Sequence, residues 1–386
     1  MLWEQYVFRR GEGVHELWNP LFEQRRIRLL YIAGRGFDVR VQTVMRESVA
    51  SLSASGGRVE EAKLLLVAFK GYQLDDALHT LTAQNAEVLK SIFAALGATE
   101  HITISSSTTD GDDITASQAL RQGTDAGLKH VTNQTDIILD VSSLPRVVYL
   151  ALLTSLLNRL VPNKTSPGAL AASQVNLQVL VAEDAELDAS IRAEDPSNDP
   201  VLIPGFSSAL QAESVQEWPL VWFPILGEHR VNQLQQIMKS NVIPDEAEIC
   251  PIVPHPSRNP RRADRLLVEY KEPLFEKRET PTSNIIYAHE SHPFEAYRQL
   301  LQAMQRYRRS MEVLGGCRLV VTPLGSKLIT IGAGLACFEM RPSDLNAKYR
   351  VAIPHAEPMR YIAAVDALTN SRPEISALLL TGEAYA

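Results

Sequence analysis

The sequence has few cysteines, no excess of basic residues and no long apolar run. Its 386 residues include three cysteines, too few for a disulfide framework, which favours a reducing compartment. Acidic residues number 45 against 38 lysines and arginines, so the formal net charge is 38 − 45 = −7, and we expect no general nucleic-acid binding. The apolar runs 147–157 and 328–338 are too short to span a bilayer, and no signal-peptide pattern opens the chain. We therefore predict a cytoplasmic protein without membrane contact.

Familiar catalytic and metal-binding signatures are also missing. The sequence contains no Gly-x-Ser-x-Gly elbow, no Cys-x-x-Cys pair and no His-Glu-x-x-His spacing, which are the patterns of common covalent and metal-dependent enzymes. We predict no metal site, and the sequence identifies no cofactor.

Short β-rich runs alternate with amphipathic stretches along most of the chain. This alternation predicts an α/β fold with two Rossmann-like halves, each with a mainly parallel sheet flanked by helices. The β-rich runs are residues 27–33, 63–69, 101–105, 136–141, 176–181, 220–226, 248–253, 285–288, 317–322 and 350–353.

Changes in composition suggest four segments. Residues 1–26 are predicted to be an N-terminal extension and residues 27–182 the first Rossmann-like half. Residues 183–217 are rich in Asp, Glu, Ser and Pro and lack periodicity, which is typical of a linker. Residues 218–386 form the predicted second half.

A local repeat suggests that the two halves arose by internal duplication. The run that begins at Ile137 recurs at Ile285, with Ser, Pro, Tyr and two Leu residues at the same spacing. A competing alignment by strand order pairs the loop 140–146 with 322–327 instead. The sequence leaves the choice between the two alignments open.

The loop after the first predicted strand offers backbone space and charge. In parallel sheets ligands bind beyond the carboxyl ends of strands, near helix N-termini. Gly34 and Gly36 allow close approach of a ligand, Arg35 and Arg40 could pair with an anion, and Asp38 could accept from a hydroxyl. The third glycine and the ribose-binding acid of NAD enzymes are absent. Alternatively, this loop is a structural turn in which Asp38 caps the next helix.

The same loop, Gly34-Arg35-Gly36-Phe37-Asp38-Val39-Arg40, resembles the Gly-x-Gly-x-Asp-x-Arg signature of leucine carboxyl methyltransferase-type enzymes. That resemblance implies S-adenosylmethionine as a cofactor.

Two further strand-to-helix loops carry hydroxyls beside a base. Ser142, Ser143 and Arg146 follow the fourth strand of the first half, where helix capping explains the hydroxyl and the proline but not the arginine. In the second half, Thr322, Gly325, Ser326 and Lys327 precede a Gly/Ala-rich helix. Their order is not that of a Walker loop, but a backbone cradle with one lysine is a plausible phosphate site.

Three other loops of the second half hold titratable groups. His289, Glu290 and His292 could bind a metal or do acid–base work, or they could belong to a solvated loop at a helix start. The basic segment 255–262 could meet a phosphate or an acidic partner, or be an exposed mobile loop. Residues 228–230, Glu-His-Arg, follow the first strand of the second half.

Two Rossmann-like halves with hydroxyl-plus-base loops, above all Thr322 to Lys327, resemble the CARF and SAVED sensor domains of prokaryotic antiviral defence. The resemblance implies a nucleotide signal bound at the strand ends. It also implies an effector, which we expect to be a separate protein, and it is compatible with a homodimer.

Three functional hypotheses follow. The first is a sensing module for a nucleotide-type ligand that acts with a partner protein in antiviral defence. The second is an enzyme that acts on a nucleotide or uses S-adenosylmethionine, and the third is a scaffold subunit. The predicted ligand contacts are Gly34, Arg35, Gly36, Asp38, Ser142, Ser143, Arg146, Thr322, Gly325, Ser326 and Lys327. The acid–base candidates for an enzyme are Asp38, Asp140, His289 and Glu290.

Overall fold

The structure, a computed structural model, describes residues 1–105, 115–166, 168–240, 242–344 and 346–386. Its strands are β1 (Val7–Arg10), β2 (Arg26–Gly34), β3 (Arg58–Lys70), β4 (Ala98–Ser105), β5 (Asp136–Asp140), β6 (Asn176–Glu183), β7 (Arg192–Pro196), β8 (Val201–Leu202), β9 (Leu220–Ile225), β10 (Glu248–Ile249), β11 (Ile252–Pro254), β12 (Ile286–Ala288), β13 (Cys317–Pro323), β14 (Tyr349–Ala352), β15 (Pro354–His355), β16 (Pro358–Ile362) and β17 (Glu374–Thr381).

The α-helices are α1 (Gly13–Phe22), α2 (Arg40–Ala54), α3 (Asp76–Phe93), α4 (Ala116–Leu128), α5 (Arg146–Leu160), α6 (Ala185–Ser190), α7 (Ser208–Gln211), α8 (Val231–Lys239), α9 (Arg262–Glu269), α10 (Pro293–Ser310), α11 (Lys327–Met340) and α12 (Val365–Asn370). A π-helical turn (Lys271–Glu276) follows α9. Short 3-10 turns lie at Glu213–Val215, Thr282–Asn284, Glu312–Leu314 and Glu383–Tyr385.

The first of two compact units comprises residues 1–192 and 360–386. Its seven-stranded sheet has the order β1-β17-β6-β5-β2-β3-β4. Strands β2 to β6 are parallel, whereas β17 pairs antiparallel with β6 and β1 antiparallel with β17. Numbered along the chain, the five parallel strands have the spatial order 3-2-1-4-5. Their apolar side chains are buried because helices cover both faces of such a sheet.

The second unit comprises residues 193–359. Its main sheet has the order β12-β11-β9-β13-β14, and β10 also pairs with β9. All of these pairings are parallel. The five strands again read 3-2-1-4-5 along the chain, so the predicted α/β fold with two Rossmann-like, mainly parallel sheets is confirmed.

A matching side-chain contact supports the duplication. In the first unit, Tyr31 on β2 donates from its hydroxyl to Asp140 at the end of β5, at 3.0 Å. In the second, the Trp222 indole on β9 donates to the Thr322 hydroxyl on β13, at 2.8 Å. In both sheets the donor lies two residues before the register partner of the acceptor.

These contacts favour the alignment by strand order. They pair β5 with β13, the fourth strand of each sheet. The repeat at Ile137 and Ile285 instead joins β5 to the start of β12, the third strand of its sheet. That repeat therefore does not relate equivalent strands. A short apolar run followed by a helix start recurs in any α/β chain, which accounts for the similarity.

The units divide the chain differently from the predicted boundaries. Residues 1–26 contain β1 and α1, which belong to the first unit and are not an extension. Strand β17 lies in the first sheet rather than in the second half, since it pairs with β6 along its length. The segment 183–217 contains α6, β7, β8 and α7 rather than an unstructured linker. An apolar run such as that of β17 fits either sheet, so one sequence does not reveal its pairing partner.

Glycines allow the loops after the first and fourth strands to touch in each sheet. A Cβ atom at Gly36 would lie 2.9 Å from the carbonyl oxygen of Ser143, and one at Gly227 would lie 2.1 Å from that of Leu324. In both units a buried side chain donates to the glycine carbonyl at 2.8 Å. Asn85, within the helix after the second strand, donates to Gly36, and Tyr270, directly after the corresponding helix, donates to Gly227.

We predict that Gly227→Ala destabilises the second unit, because the added methyl group overlaps a backbone oxygen that cannot move without shifting β13. The expected loss is about 1–3 kcal/mol of the free energy of unfolding, measured by thermal and denaturant unfolding. Gly13→Ala is the control, since its Cβ would meet its nearest neighbour at an ordinary 3.6 Å. An equal, small effect of both substitutions would contradict the prediction.

Candidate functional site

The strand order reverses between β2 and β5 in the first sheet and between β9 and β13 in the second. In open parallel sheets, the crevice at the carboxyl ends of two such strands is the usual place for a ligand. The structure places the predicted ligand contacts on the loops that leave β2, β5 and β13.

In the first unit, the loops that leave β2 and β5 contact each other at this position. The Ser143 hydroxyl donates to the carbonyl of Gly34 at 2.9 Å, and a Cβ at Gly34 would lie 2.7 Å from the Ser143 oxygen. The glycines thus accommodate Ser143. Arg35 is exposed beside them.

Asp38 forms a buried ion pair with Arg40. The guanidinium binds both carboxylate oxygens of Asp38, at 2.9 and 2.7 Å, and also Asp188 at 2.7 Å. Burial alone would lower the pKa of Arg40, but the two carboxylates outweigh it and the net shift is upward. The Asp38 carboxylate also accepts from the Arg40 backbone N–H. This geometry gives Asp38 a structural role at the start of α2.

Asp140 and Ser142 connect three neighbouring strands. Besides the Tyr31 hydroxyl, Asp140 accepts from the Ser142 backbone N–H at 3.0 Å, and the Ser142 hydroxyl accepts from the backbone of Ala182 at 2.9 Å. Both side chains are fully buried. Burial, and then the charge of Asp140, raise the pKa of Tyr31 well above its usual value. Arg146, in contrast, begins α5 and is partly exposed.

In the second unit, the four predicted contacts at the end of β13 and in the loop after it divide into two pairs. Thr322 is buried against Trp222, and Gly325 packs where a Cβ would lie 2.7 Å from the Ile225 side chain. Ser326 and Lys327 are partly exposed at the start of α11. The Ser326 hydroxyl accepts from the N–H of Ile329 and donates to the carbonyl of Glu290 at 3.4 Å. Every residue of α11 except Lys327 and Glu339 is buried.

Arg262 joins the loops after three strands of the second sheet. Its guanidinium binds both oxygens of Glu228, at 2.6 and 2.8 Å, and one oxygen of Glu290 at 2.9 Å. Glu290 also accepts from the backbone N–H of Arg258 at 3.0 Å. We call Glu228, Arg262 and Glu290 the arginine bridge. The bridge was not predicted from the sequence, because its residues come from three separate loops. The usable signal was the pair of acids at two strand ends beside an Arg-rich loop.

The bridge keeps Glu228 and Arg262 charged. Burial by itself would raise the pKa of Glu228, but the hydrogen bonds and charge of Arg262 outweigh it, and the net shift is downward. For Arg262, burial would lower the pKa, but Glu228 and Glu290 raise it further.

The two histidines of this loop have local partners. His292 caps α10, its Nδ1 accepting from the N–H of Glu295 at 3.2 Å, and burial lowers its pKa. His289 accepts from the N–H of Ser291 at 3.2 Å. This arrangement fits the helix-start alternative. Among the residues that the structure describes, no group of three or more His, Cys, Asp or Glu is arranged to hold a metal ion.

Comparisons with known proteins give no family. No family model matches the chain, and no curated protein matches it. Among solved structures, one that matches is a protein assigned as a universal stress protein of Pseudomonas aeruginosa UCBPP-PA14. The identity is 10%, the TM-score is 0.23, and the match covers 89% of this chain and 95% of that one.

None of the helices in the described part of the chain combines the length and the apolar character that crossing a bilayer requires.

We predict that Arg262→Ala destabilises the second unit at neutral pH by about 1–3 kcal/mol, because two partly buried carboxylates lose their shared cation. The depressed pKa of Glu228 means that the bridge contributes above the unfolded pKa of about 4.3 and loses its contribution as the pH falls through the lower, folded value. The gap between wild type and variant should therefore narrow on acidification. Denaturant unfolding across this pH range measures the gap.

Arg309→Ala is the control, since Arg309 is an exposed arginine in the last turn of α10, in the same unit but outside the bridge. The bridge would lose its assigned role if both variants behaved alike, or if the gap did not change with pH.

Proposed function

We propose that the chain binds a nucleotide-type ligand at the carboxyl ends of β9 and β13, and that binding is passed to a separate partner protein. The observation that supports this most is the position of Ser326 and Lys327. They begin α11 at the point where the strand order reverses, in a loop that contacts the arginine bridge through Glu290.

The chemistry of these groups suits a phosphate. The first backbone N–H groups of a helix have no partner within the helix and carry a partial positive charge. The Lys327 ammonium adds a full positive charge at the same place. The Ser326 hydroxyl adds its one donor when it leaves the Glu290 carbonyl, which it contacts at 3.4 Å. Arg258 and Arg261, both exposed on the loop after β11, extend the positive potential toward an anion.

Glu228 suits the sugar of a nucleotide. It follows β9, the strand next to β13, and its side chain keeps 28% of its surface exposed while it binds Arg262. A carboxylate has about four acceptor positions, so Glu228 can accept from a ribose hydroxyl without releasing the arginine. A phosphate at α11 and a ribose at Glu228 together define a nucleotide-type ligand.

The first unit supports a smaller share of the proposal. Most of its predicted ligand contacts instead hold the loops of this unit in place, as their contacts indicate: Gly34, Gly36, Asp38, Ser142 and Ser143. Arg35 and Arg146 remain predicted contacts for an anion in this unit.

Binding is better supported than turnover. Asp38 and Glu290 are each bound by an arginine, and Asp140 accepts from Tyr31, so these carboxyls already have partners within the fold. The resemblance to CARF and SAVED sensors supports a sensing role and a place in prokaryotic antiviral defence. Their ligand class makes cyclic oligonucleotides the first candidates.

We predict that Lys327→Ala weakens nucleotide binding by about tenfold or more, since a charge-assisted contact to phosphate is lost. Thermal-shift screening with mononucleotides, cyclic oligonucleotides and S-adenosylmethionine selects the ligand, and calorimetry then measures the affinity. Lys239→Ala is the control, because Lys239 is exposed at the far end of a helix of the same unit.

The outcomes separate the hypotheses. Loss of binding in Arg146→Ala but not in Lys327→Ala would move the site to the first unit. Mass spectrometry of the recovered ligand tests turnover: an altered compound would favour the enzyme hypothesis. A protein that no compound stabilises would refute ligand binding and favour the scaffold.

A further inference from the structure

Basic residues also gather at the opposite edge of the second sheet, at the amino ends of β13 and β14. Arg318 is the second residue of β13, Lys348 precedes β14, and Arg350 is its second residue. Arg308 lies in the last turn of α10. We call these four residues with Trp218 and Tyr349 the amino-edge patch. It lies on a chain whose formal net charge is −7.

Aromatic rings hold two of these guanidinium groups in position. Arg350 lies over the Trp218 ring, 5.8 Å from its centroid, and Arg308 lies over the Tyr349 ring at 5.2 Å. Arg318 donates to the Trp218 backbone carbonyl at 2.9 Å. Rings and carbonyls orient an arginine without cancelling its charge. Lys348 does approach an acid, since Glu312 lies 3.9 Å from it, and Glu217 precedes Trp218 in the sequence.

Two apolar side chains project beside the patch. Val313 and Leu314 are 87% and 59% exposed, in the 3-10 turn that directly precedes Gly315 and Gly316. The Trp218 ring packs against Gly316, where a Cβ would lie 2.8 Å from it, so the turn and the patch are neighbours. Apolar side chains bordered by ordered arginines are typical of protein interfaces rather than of bare surface.

We propose that the amino-edge patch, with Val313 and Leu314, docks a segment of a partner protein that presents carboxylates beside apolar side chains. The basic patch is complementary in charge to an acidic segment. The exposed Val313 and Leu314 are complementary to apolar residues on that segment. A nucleic acid fits less well, because its phosphates leave Val313 and Leu314 uncovered. Stacking of bases would also need open ring faces, whereas the Trp218 ring already contacts Gly316 and Arg350.

The test is fluorescence anisotropy of the full chain with a short fluorescein-labelled peptide in which Glu and Leu alternate. We expect saturable binding that weakens as salt is raised. Lys348→Glu and Arg308→Glu should each weaken it about tenfold, since each reverses a charge at the interface. The double variant Val313→Ser with Leu314→Ser should weaken it to a similar degree. Lys348, Val313 and Leu314 are exposed, so these variants test docking even if Arg308→Glu fails to fold.

Arg298→Glu is the matched control. It makes the same charge change on the same helix, at an exposed position ten residues before Arg308, or about 15 Å along the helix axis. Equal weakening by Arg298→Glu would overturn the proposal, and so would equal binding of a peptide in which Ser replaces Leu. An oligothymidylate that binds more tightly than the peptide, and is lost in the same variants, would assign the patch to nucleic acid instead. Failure of the Glu–Leu peptide to bind the full chain would also overturn the proposal.

Discussion

Both units depend on the contact between the first and fourth strands of their sheets. An aromatic donor on the first strand reaches a buried acceptor at the end of the fourth, as Tyr31 does with Asp140 and Trp222 with Thr322. An unsatisfied buried donor or acceptor costs about 1–3 kcal/mol, so each pair favours one register. The loops that follow then meet where the strand order reverses, and glycine is needed because backbone approaches backbone there.

The two units share this plan but differ in the side chains that lie beyond the carboxyl ends of their strands. In the first unit, Ser143 occupies the space beside Gly34, and the Asp38 carboxylate is paired with Arg40. In the second unit, Arg262 binds both Glu228 and Glu290 at the carboxyl ends of the strands. Ser326 and Lys327 are partly exposed at the start of α11. The two loops touch at a glycine in both units. In the second unit the groups beside that contact include Glu228, Ser326 and Lys327, which keep exposed surface.

The sequence was sufficient for the fold class because buried parallel strands are short apolar runs, and the intervening helices are amphipathic. It also located the loops, since a loop that follows a strand ends at a known edge of the sheet. It did not reveal which side chains pair across the fold. Asp38 and Arg40 are two residues apart and their pairing could have been anticipated, whereas Arg262, Glu228 and Glu290 come from three separate loops. Strand β17 was misplaced for the same reason, since its partner β6 lies almost 200 residues earlier in the chain.

Helix α10 connects the two surfaces proposed for the second unit. It begins next to His292, in the loop that contains Glu290, and its last turn contains Arg308. Its 18 residues span about 27 Å. It packs closely on α11, because a Cβ at Gly332 would lie 2.1 Å from the carbonyl of Pro293. Close packing of this kind resists gradual deformation, so the start of α11 and the end of α10 belong to one stiff layer. A ligand at one edge and a partner at the other would therefore contact the same pair of helices at opposite ends.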